Sequence, residues 1–298
     1  MNWYREYGTQ WKEIIEIVAS EIHRSTAMVE KDMIQSMFLR SLSLSDVDLV
    51  FKGGTSLSKC FGLIERFSED LDLSMERKPT EAEKKHVYTT IMSIAADLGL
   101  DLLNPESVMS RHNYNKYVFG YESLFAGSSL NIIVETSFYQ EVYPVVIHKV
   151  DSFVGSFCAE REITLPIPFE TESFNMPVQT LERTFIDKVF AICDYKIQGV
   201  QEGKSRHLYD IYKLLPKVSF SSELRELIDK VRKDRRSSKN NPSSQLSYDI
   251  PKLLGEIIDS RYFEEDYNTV TKKLLYENIN YEEAITEGIA NVIEACIF

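Results

Sequence analysis

The sequence predicts an α+β protein, with strands and helices mixed in its first part and helices in the remainder. Apolar residues recur at helical spacing over residues 10–44. Between residues 47 and 150, short apolar or alternating runs typical of strands are interrupted by helical patterns. From residue 180 onward the spacing is helical again. These three observations define the fold class before any single motif is considered.

Two leading helices are predicted by two runs of apolar residues at helical spacing, Trp11, Ile14, Ile15 and Val18, then Met33, Ile34, Met37 and Phe38. Residues 47–51 then form a short apolar strand, residues 56–64 a helix and residues 70–75 a second strand. A glycine pair separates the first strand from the helix. The pattern therefore predicts a strand, a glycine turn, a helix and a strand in succession.

The next elements are a helix over residues 80–98, opened by Pro79 and ended by Gly99, and strands over 116–121, 129–138 and 145–150. In the middle strand, apolar residues at even positions alternate with a second set that contains Glu135. Glu135 is therefore predicted on the face opposite the main apolar stripe.

A domain boundary is predicted between residues 165 and 177, where Pro166, Pro168 and Pro177 interrupt every periodic pattern. This gives one domain over residues 1–170 and a second over residues 171–298. Helices are expected there at 180–198, 206–215, 221–235, 250–276 (with a break) and 281–297, with a polar linker at 237–247.

Composition excludes several classes of protein. The chain has 298 residues, 43% of them hydrophobic, which is enough for one large or two modest cores. Its net charge of −12, from 34 Lys and Arg against 46 Asp and Glu, argues against a general nucleic-acid or membrane coat. No run approaches the roughly 18 apolar residues of a membrane span, and no signal peptide precedes the first helix, so we expect a cytoplasmic protein.

The four cysteines are scattered, without a C-x-x-C pair, and predict neither a zinc site nor a disulfide framework. They are Cys60, Cys158, Cys193 and Cys296. We interpret them as reduced packing residues.

The motif with the most chemical content is Gly53-Gly54-Thr55-Ser56, followed after one helix by Asp70-x-Asp72. Glycines let a backbone approach a phosphate, and hydroxyls and amides beside them can cradle it. Aspartates at i and i+2 of a strand share one face, where two carboxylates suit Mg²⁺. Alone, the glycine motif also fits a helix N-cap and the aspartate pair a solvated strand. Together they predict a nucleoside triphosphate and metal site.

Glu135 and Lys188 each have both a catalytic and a structural interpretation, and Asp210 has a structural one. Glu135 fits a third metal carboxylate on a neighbouring strand, or a solvated strand residue. Lys188 lies in an apolar helix stripe, where its ammonium needs a partner such as a triphosphate oxygen. In the structural interpretation, its methylene chain packs on apolar residues while the ammonium reaches water. Asp210 fits an ion pair with Arg206 or Lys213 at helical spacing.

With these residues in place, the chain resembles the AbiEii/AbiGii-type nucleotidyltransferase toxins, including the MenT-like branch, of bacterial toxin-antitoxin and abortive-infection systems. The resemblance rests on five segments: Val29–Met33, Phe51–Lys59, Arg66–Asp72, Leu181–Lys188 and Arg206–Tyr212. It implies a polymerase-β-like nucleotidyltransferase core, a mixed sheet flanked by helices, with a helical C-terminal domain that contributes to the active site.

The resemblance also implies roles for individual residues. Gly53, Gly54, Thr55, Ser56 and Lys59 would hold phosphates, with Ser68 beside the metal pair. Asp70 and Asp72 would hold Mg²⁺, and the strand position of Glu135 makes it the candidate third metal ligand. Lys188 would contact the triphosphate, and Asp210 would complete the site as a base or an orienting group.

Implied partners are an NTP, an acceptor and a cognate antitoxin, with the 3′ end of tRNA as the favoured acceptor and a protein as the lesser one. The basic run over residues 230–236, together with Lys239 beyond it, offers a patch for RNA phosphates, although such runs are commonly solvated helix ends. Two other functions stay open. One is a nucleotide-binding protein that acts by binding a partner, and the other is a small-molecule nucleotidyltransferase of the antibiotic-modifying kind.

Overall fold

The computed structural model describes residues 6–125, 127, 129–165 and 171–298. Contacts within the chain divide it into two compact units. Unit 1 contains Met1–Cys60 and Glu69–Val178, and unit 2 contains Phe61–Ser68 and Gln179–Phe298. The boundary expected at 170/171 adjoins residues 166–170, including Pro166 and Pro168, which lie outside the described residues. The units divide instead after Val178, and the short segment 61–68 belongs to the second unit.

Unit 1 begins with two helices, α1 (Gly8–Glu21) and α2 (Thr26–Ser43). Ser25 caps α2 by accepting a hydrogen bond from the Met28 amide. Helix α2 is buried on several sides, so even its charged residue Glu30 is only 1% exposed. Glu30 accepts hydrogen bonds from the indole of Trp11 on α1 and from the Ser123 hydroxyl. A buried carboxylate with such donors fixes the leading helices to the rest of the unit.

The sheet of unit 1 has seven strands in the order β3-β4-β5-β2-β1-β7-β6. The strands are β1 (Val50–Lys52), β2 (Asp70–Ser74), β3 (Asp101–Leu102), β4 (Tyr114–Glu122), β5 (Ser129–Ser137), β6 (Val145–Val150) and β7 (Phe174–Gln179). Strand β2 runs antiparallel to β1 and parallel to β5, and β5 runs antiparallel to β4. The sheet is therefore mixed, as the resemblance implied.

Three further helices belong to unit 1: α3 (Gly53–Lys59), α4 (Glu81–Asp97) and α5 (Phe153–Glu160). Helix α4 begins with a capping box, in which Thr80 accepts from the Glu83 amide and Glu83 accepts from the Thr80 amide. Helix α3 begins at Gly53, three residues before the predicted start, and ends at Lys59 rather than Ile64. It is shorter because the segment after Cys60 leaves unit 1 and pairs within unit 2.

The alternation predicted for β5 is present in the structure. Val134 and Thr136 are fully buried, whereas Ile133 and Glu135 on the other face are only half-buried. On β2, Leu71 and Leu73 are likewise 0% exposed. Burial of each such side chain stabilises the unit by roughly 1.5–3 kcal/mol. One face of the sheet thus faces the core and the other carries the polar side chains.

Unit 2 is helical, with α6 (Leu181–Gln198), α7 (Arg206–Leu214), α8 (Ser222–Arg235) and α9 (Ile250–Asp259). Two further helical stretches, α10 (264–274) and α11 (281–294), each contain a π-helical segment. The break expected within 250–276 falls after Asp259, where Arg261 has a φ of 49°. Within the described ranges, no helix is long and apolar enough to cross a membrane.

Candidate active site

The turn between β1 and α3 requires glycine at position 53. Gly53 has a φ of +78°, a left-handed conformation that side chains disfavour. A Cβ built on it would overlap the carboxylate of Asp72 and lie 2.8 Å from its Cγ. The Asp72 side chain therefore presses directly against the glycine backbone, so the two motifs predicted to cooperate meet at this point.

The two hydroxyl residues after the glycines connect the turn to its neighbours. Thr55 Oγ1 donates to the Asp70 carbonyl at 2.6 Å, and Ser56 Oγ donates to the Gly53 carbonyl at 2.9 Å. Both residues are buried, at 2% and 0% exposure. Their hydroxyl protons are thus directed to backbone carbonyls, and the Thr55 bond fixes the turn to the strand that carries the aspartates.

Asp70 and Asp72 point to the polar face of the sheet because Leu71 and Leu73 occupy its buried face. Strand register adds a row of charged residues directly across this face. Lys52 of β1 is the pairing partner of Asp72, Asp72 pairs with Glu135 of β5, and Glu135 pairs with Lys116 of β4. Asp72 and Glu135 are therefore neighbours on one face, and Glu135 lies opposite the apolar stripe of its strand.

The two aspartates fit a divalent cation that shares its coordination with phosphate oxygens. Magnesium is commonly bound by one or two carboxylates together with substrate phosphates. Among the residues that the structure describes, no group of three or more His, Cys, Asp or Glu side chains is arranged to hold a metal on its own.

Glu135 has protein partners of its own. Its carboxylate lies 3.1 Å from Lys116 Nζ, and its side chain is 20% exposed. Burial and the neighbouring charge of Glu135 raise the pKa of Tyr114, whose hydroxyl hydrogen bonds to that carboxylate. Glu135 is therefore held by two groups of β4, and a metal would have to share it with them.

Lys59 contacts residues of α2. Its ammonium donates to the Asp32 carbonyl at 3.0 Å, to the Asp32 carboxylate and to Ser36 Oγ at 2.7 Å. These three acceptors match the three N–H donors of a lysine. The structure gives Lys59 a role in joining α3 to α2, and a phosphate contact would require its release. Ser68, the other predicted nucleotide contact, is half-buried in the segment 61–68 of unit 2.

Lys188 and Asp210 contact each other within unit 2. Lys188 Nζ on α6 lies 2.8 Å from Asp210 Oδ2 on α7, and both residues are buried. Arg66 also binds Asp210, with its Nε 2.7 Å from Oδ1 and its Nη2 2.8 Å from Oδ2. A bidentate arginine and a lysine thus share one carboxylate. This arrangement replaces the pairing of Asp210 with Arg206 or Lys213 that helical spacing suggested.

The electrostatics of this cluster follow from burial and charge. Burial opposes ionisation of Asp210, but Arg66 and Lys188 outweigh it and hold the pKa of Asp210 well below its usual range. Burial lowers the pKa of Lys188, and Asp210 partly offsets that effect. Burial and the charge of Lys188 also lower the pKa of His207, whose Nδ1 is 4.0 Å from Asp210. His207 is therefore neutral at pH 7.

Arg66 is a residue to which the sequence assigned no role. It lies within the quoted block Arg66–Asp72, but its partner Asp210 is 144 residues away along the chain. Its segment is fixed to unit 2 by backbone bonds from Phe67 to Leu274 and from Tyr276 to Glu65. The signal in the sequence was one basic residue in a block whose other charged residues are acidic, and this did not identify the partner.

The basic run of α8 serves the structure of unit 2. Arg235 binds Asp194 at 2.7 Å and Asp187 at 3.3 Å, and it is 7% exposed. Arg232 and Arg236 donate to backbone carbonyls between residues 244 and 248. Three arginines of the predicted RNA patch thus stabilise the end of α8 and the linker. The exposed cations of this run are Lys230, Lys233 and Lys239.

Comparison with known proteins identifies the family of this chain. The family model described as "Nucleotidyl transferase AbiEii toxin, Type IV TA system" matches residues 37–287. The chain therefore belongs to the AbiEii nucleotidyltransferase toxin family, and the resemblance stated from its motifs is confirmed. Membership of this family implies an NTP substrate and an antitoxin partner. Nucleotidyltransferases generally use a divalent metal.

The chain is also similar to solved structures. JHP933 from Helicobacter pylori superposes with a TM-score of 0.50 at 19% identity, covering 92% of this chain and 94% of that one. A putative nucleotidyltransferase from H. pylori gives a TM-score of 0.49 at 17% identity, with 92% and 97% coverage. MenT4, a nucleotidyltransferase toxin from Mycobacterium tuberculosis H37Rv, gives 0.49 at 15% identity, with 94% and 88% coverage. A search of curated proteins gave no match.

Proposed function

We propose that this protein is a Mg²⁺-dependent nucleotidyltransferase toxin that transfers a nucleoside monophosphate from an NTP to the 3′ end of tRNA in the cytoplasm. One observation carries the proposal: the carboxylate of Asp72 stands against the Gly53 backbone, on the same sheet face as Asp70 and Glu135. A phosphate-approach turn and a carboxylate pair are thus adjacent within unit 1, which is the arrangement that nucleotidyl transfer needs.

The residues of unit 1 would divide the work. Gly53 and Gly54 carry no side chains of their own, so the turn would let a phosphate oxygen approach its backbone amides beside the carboxylate of Asp72. Thr55 and Ser56 keep the turn in place through their hydroxyl bonds to backbone carbonyls. Asp70 and Asp72 would hold the Mg²⁺, whose positive charge would offset the negative charge of the triphosphate when it is bound.

The reaction exchanges a phosphoanhydride bond of the NTP for a phosphoester bond to the acceptor. The acceptor hydroxyl loses its proton, its oxygen bonds to the α-phosphorus, and the bond to the β-phosphate oxygen breaks, releasing pyrophosphate. Glu135 is the carboxylate on the strand next to the aspartates, and we assign it the task of accepting or orienting that proton. Its contacts with Lys116 and Tyr114 would hold its carboxylate in a fixed direction.

For the remaining residues the proposal rests on the family resemblance. We assign Lys188 to the triphosphate, Asp210 to the orientation of Lys188, and Ser68 to a secondary contact with nucleotide. To Lys59, which bonds to Asp32 and Ser36, we assign support of α3. The 2.8 Å pair between Lys188 and Asp210 supports the orienting role, since a buried ammonium held by one carboxylate has a fixed direction.

A protein acceptor is the second candidate. The net charge of −12 and the internal use of Arg232, Arg235 and Arg236 leave few cations for RNA phosphates. Transfer to a side-chain hydroxyl would use the same donor site and needs no such patch.

The deciding experiment incubates the purified protein with Mg²⁺, each α-³²P-labelled NTP in turn, and total bacterial RNA plus cell extract, followed by a denaturing gel. Label in a tRNA-sized band, lost in Asp70→Asn but kept in the exposed control Glu76→Gln, supports the proposal. Label in a protein band selects the second candidate. If no NTP gives a labelled product, nucleotidyl transfer is contradicted. The remaining alternative is then a nucleotide-binding protein that acts by binding a partner.

A further inference from the structure

Strand β4 places an aromatic ring and a cation beside the carboxylates of unit 1. Tyr114 and Lys116 lie on the same face of β4, two residues apart, while Asn115 and Tyr117 point to the buried face. Lys116 is the direct pairing partner of Glu135, and Tyr114 pairs with Ser137 one step along that face. Lys116 thus extends the row that contains Asp72 and Glu135, and Tyr114 lies in the next row on the same face.

These two side chains are accessible. Tyr114 is 41% exposed, which is high for an aromatic residue within a sheet, and the Lys116 side chain is 44% exposed. Both are nevertheless oriented, because Lys116 Nζ lies 3.1 Å from Glu135 and the Tyr114 hydroxyl bonds to the same carboxylate. Proteins that bind single-stranded nucleic acid stack its bases on exposed aromatic rings and contact its phosphates with nearby cations. Tyr114 and Lys116 offer this combination.

The strand order determines whether Tyr114 and Lys116 lie on the side of the leaving group or on the side of the attacking hydroxyl. The glycine turn follows β1, on one side of β2, whereas β5 and then β4 lie on the other side of β2. Strand β4 is two strand spacings from β2, which is roughly 10 Å. In an in-line displacement the leaving group and the attacking hydroxyl stand on opposite sides of phosphorus. With the leaving phosphates at the glycine turn, β5 and β4 face the attacking side.

We propose that Tyr114 and Lys116 form a subsite for the acceptor, in which the ring of Tyr114 stacks on the terminal base of a single-stranded RNA 3′ end and Lys116 contacts its phosphate. This inference rests on the proposed nucleotidyl transfer, since it uses the direction of that reaction. It assigns Glu135 a second task, because the same carboxylate orients both subsite residues and lies next to the attacking hydroxyl.

The test measures RNA binding without NTP, so that catalysis does not enter. The probe is a 5′-fluorescein-labelled RNA hairpin with a four-nucleotide single-stranded 3′ end, and the readout is fluorescence anisotropy. Tyr114→Ala should raise the Kd about 5- to 150-fold, which corresponds to the loss of one stacked base. Tyr114→Phe keeps the ring and should change the Kd less than about twofold. Tyr139→Ala removes another exposed tyrosine of unit 1 and serves as the matched control.

Lys116→Gln gives an independent readout. Removal of one phosphate contact should lower the slope of log Kd against log salt concentration by about 0.7, the value for a single strand. The Kd of Tyr114→Ala for a fluorescent NTP should stay at the wild-type value. Melting temperatures of all variants should match that of the wild type, since both side chains are exposed.

Several results would overturn the inference. An unchanged RNA Kd in Tyr114→Ala removes the stacking role, and weaker NTP binding in that variant would assign the ring to the incoming base. Wild-type protein that labels a protein band but does not bind the hairpin would exclude an RNA acceptor here. Failure of the proposed function is distinguishable, because then the wild type itself transfers no label from any NTP.

Discussion

The carboxylate of Asp72 occupies the space in which a Cβ on residue 53 would stand. The phosphate turn and the metal pair are therefore coupled by steric contact, in addition to lying close together. No larger residue at position 53 can coexist with Asp72 in this position.

Gly53→Ala should destabilise unit 1 by about 2–5 kcal/mol, because it adds backbone strain at φ +78° to an overlap with Asp72. Nucleotidyl transfer should fall at least tenfold in the folded fraction. Chemical denaturation and the labelling assay measure the two effects. The control is Gly203→Ala, where φ is +68° and the added Cβ meets nothing, so that only about 1–2 kcal/mol of strain is expected. Equal losses in both variants would contradict the steric coupling.

Lys59→Met tests whether this lysine joins helices or binds phosphate. It removes the partner of a buried carboxylate, so we expect a loss of about 3–5 kcal/mol in the free energy of unfolding. The double variant Lys59→Met/Asp32→Asn should recover part of it, since no unpaired charge is left. In either variant the KM for NTP should stay within about twofold of wild type, which is a free-energy change below about 0.5 kcal/mol. A stable Lys59→Met protein with a much higher KM would instead assign Lys59 to the nucleotide.

Asp210→Asn leaves Arg66 and Lys188 without a carboxylate in a buried site. We expect a loss of about 3–5 kcal/mol at pH 7. Because folding lowers the pKa of Asp210 below its unfolded value of about 3.9, its contribution is complete above that pH and is lost as the pH falls toward the folded pKa. The difference in stability between wild type and variant should therefore shrink below about pH 4. Urea denaturation at pH 7, 5 and 3 measures it.

Lys188→Met is the companion variant for the same cluster. Asp210 keeps its bidentate bond to Arg66, so the change in stability should be smaller, within about 1–2 kcal/mol. Nucleotidyl transfer should nevertheless fall more than about tenfold if Lys188 acts on the triphosphate. Full activity in a folded Lys188→Met protein would restrict this lysine to a structural role.

Arg235→Met tests whether the basic run of α8 is structural. Its guanidinium pairs with Asp187 and Asp194 under burial, so we expect a loss of about 3–5 kcal/mol in stability. Lys239→Ala in the same run is exposed and should change stability by less than about 0.5 kcal/mol. A stable Arg235→Met protein with weakened RNA binding would instead show that this arginine contacts RNA.

Much of unit 1 could be predicted from the sequence because its signals are local. The alternation around Glu135, the capping residue Thr80 and the glycine turn each depend on neighbouring residues alone. The family and the α+β fold with a mixed sheet are confirmed. Strand register brings Asp72 and Glu135 to one row, which the period-two pattern allowed but did not specify.

The partners of buried charges could not be predicted in the same way. Lys59 bonds to Asp32 and Asp210 bonds to Arg66, in each case across a long sequence separation. Helical spacing offers nearby partners for every charge, and only tertiary packing decides among them. The end of α3 was missed for a related reason, because backbone pairing with residues 274–276 prevents the helix from continuing.

The membership of segment 61–68 in unit 2 has a consequence for biosynthesis. The ribosome makes the glycine turn and then the aspartate strand, but the segment between them binds Asp210, 144 residues later than Arg66, and then residues 274–276. Until these have emerged, Arg66 and the backbone of Glu65 and Phe67 lack these native partners. A nascent chain would therefore fix this segment late in translation, after most of the chain has left the ribosome.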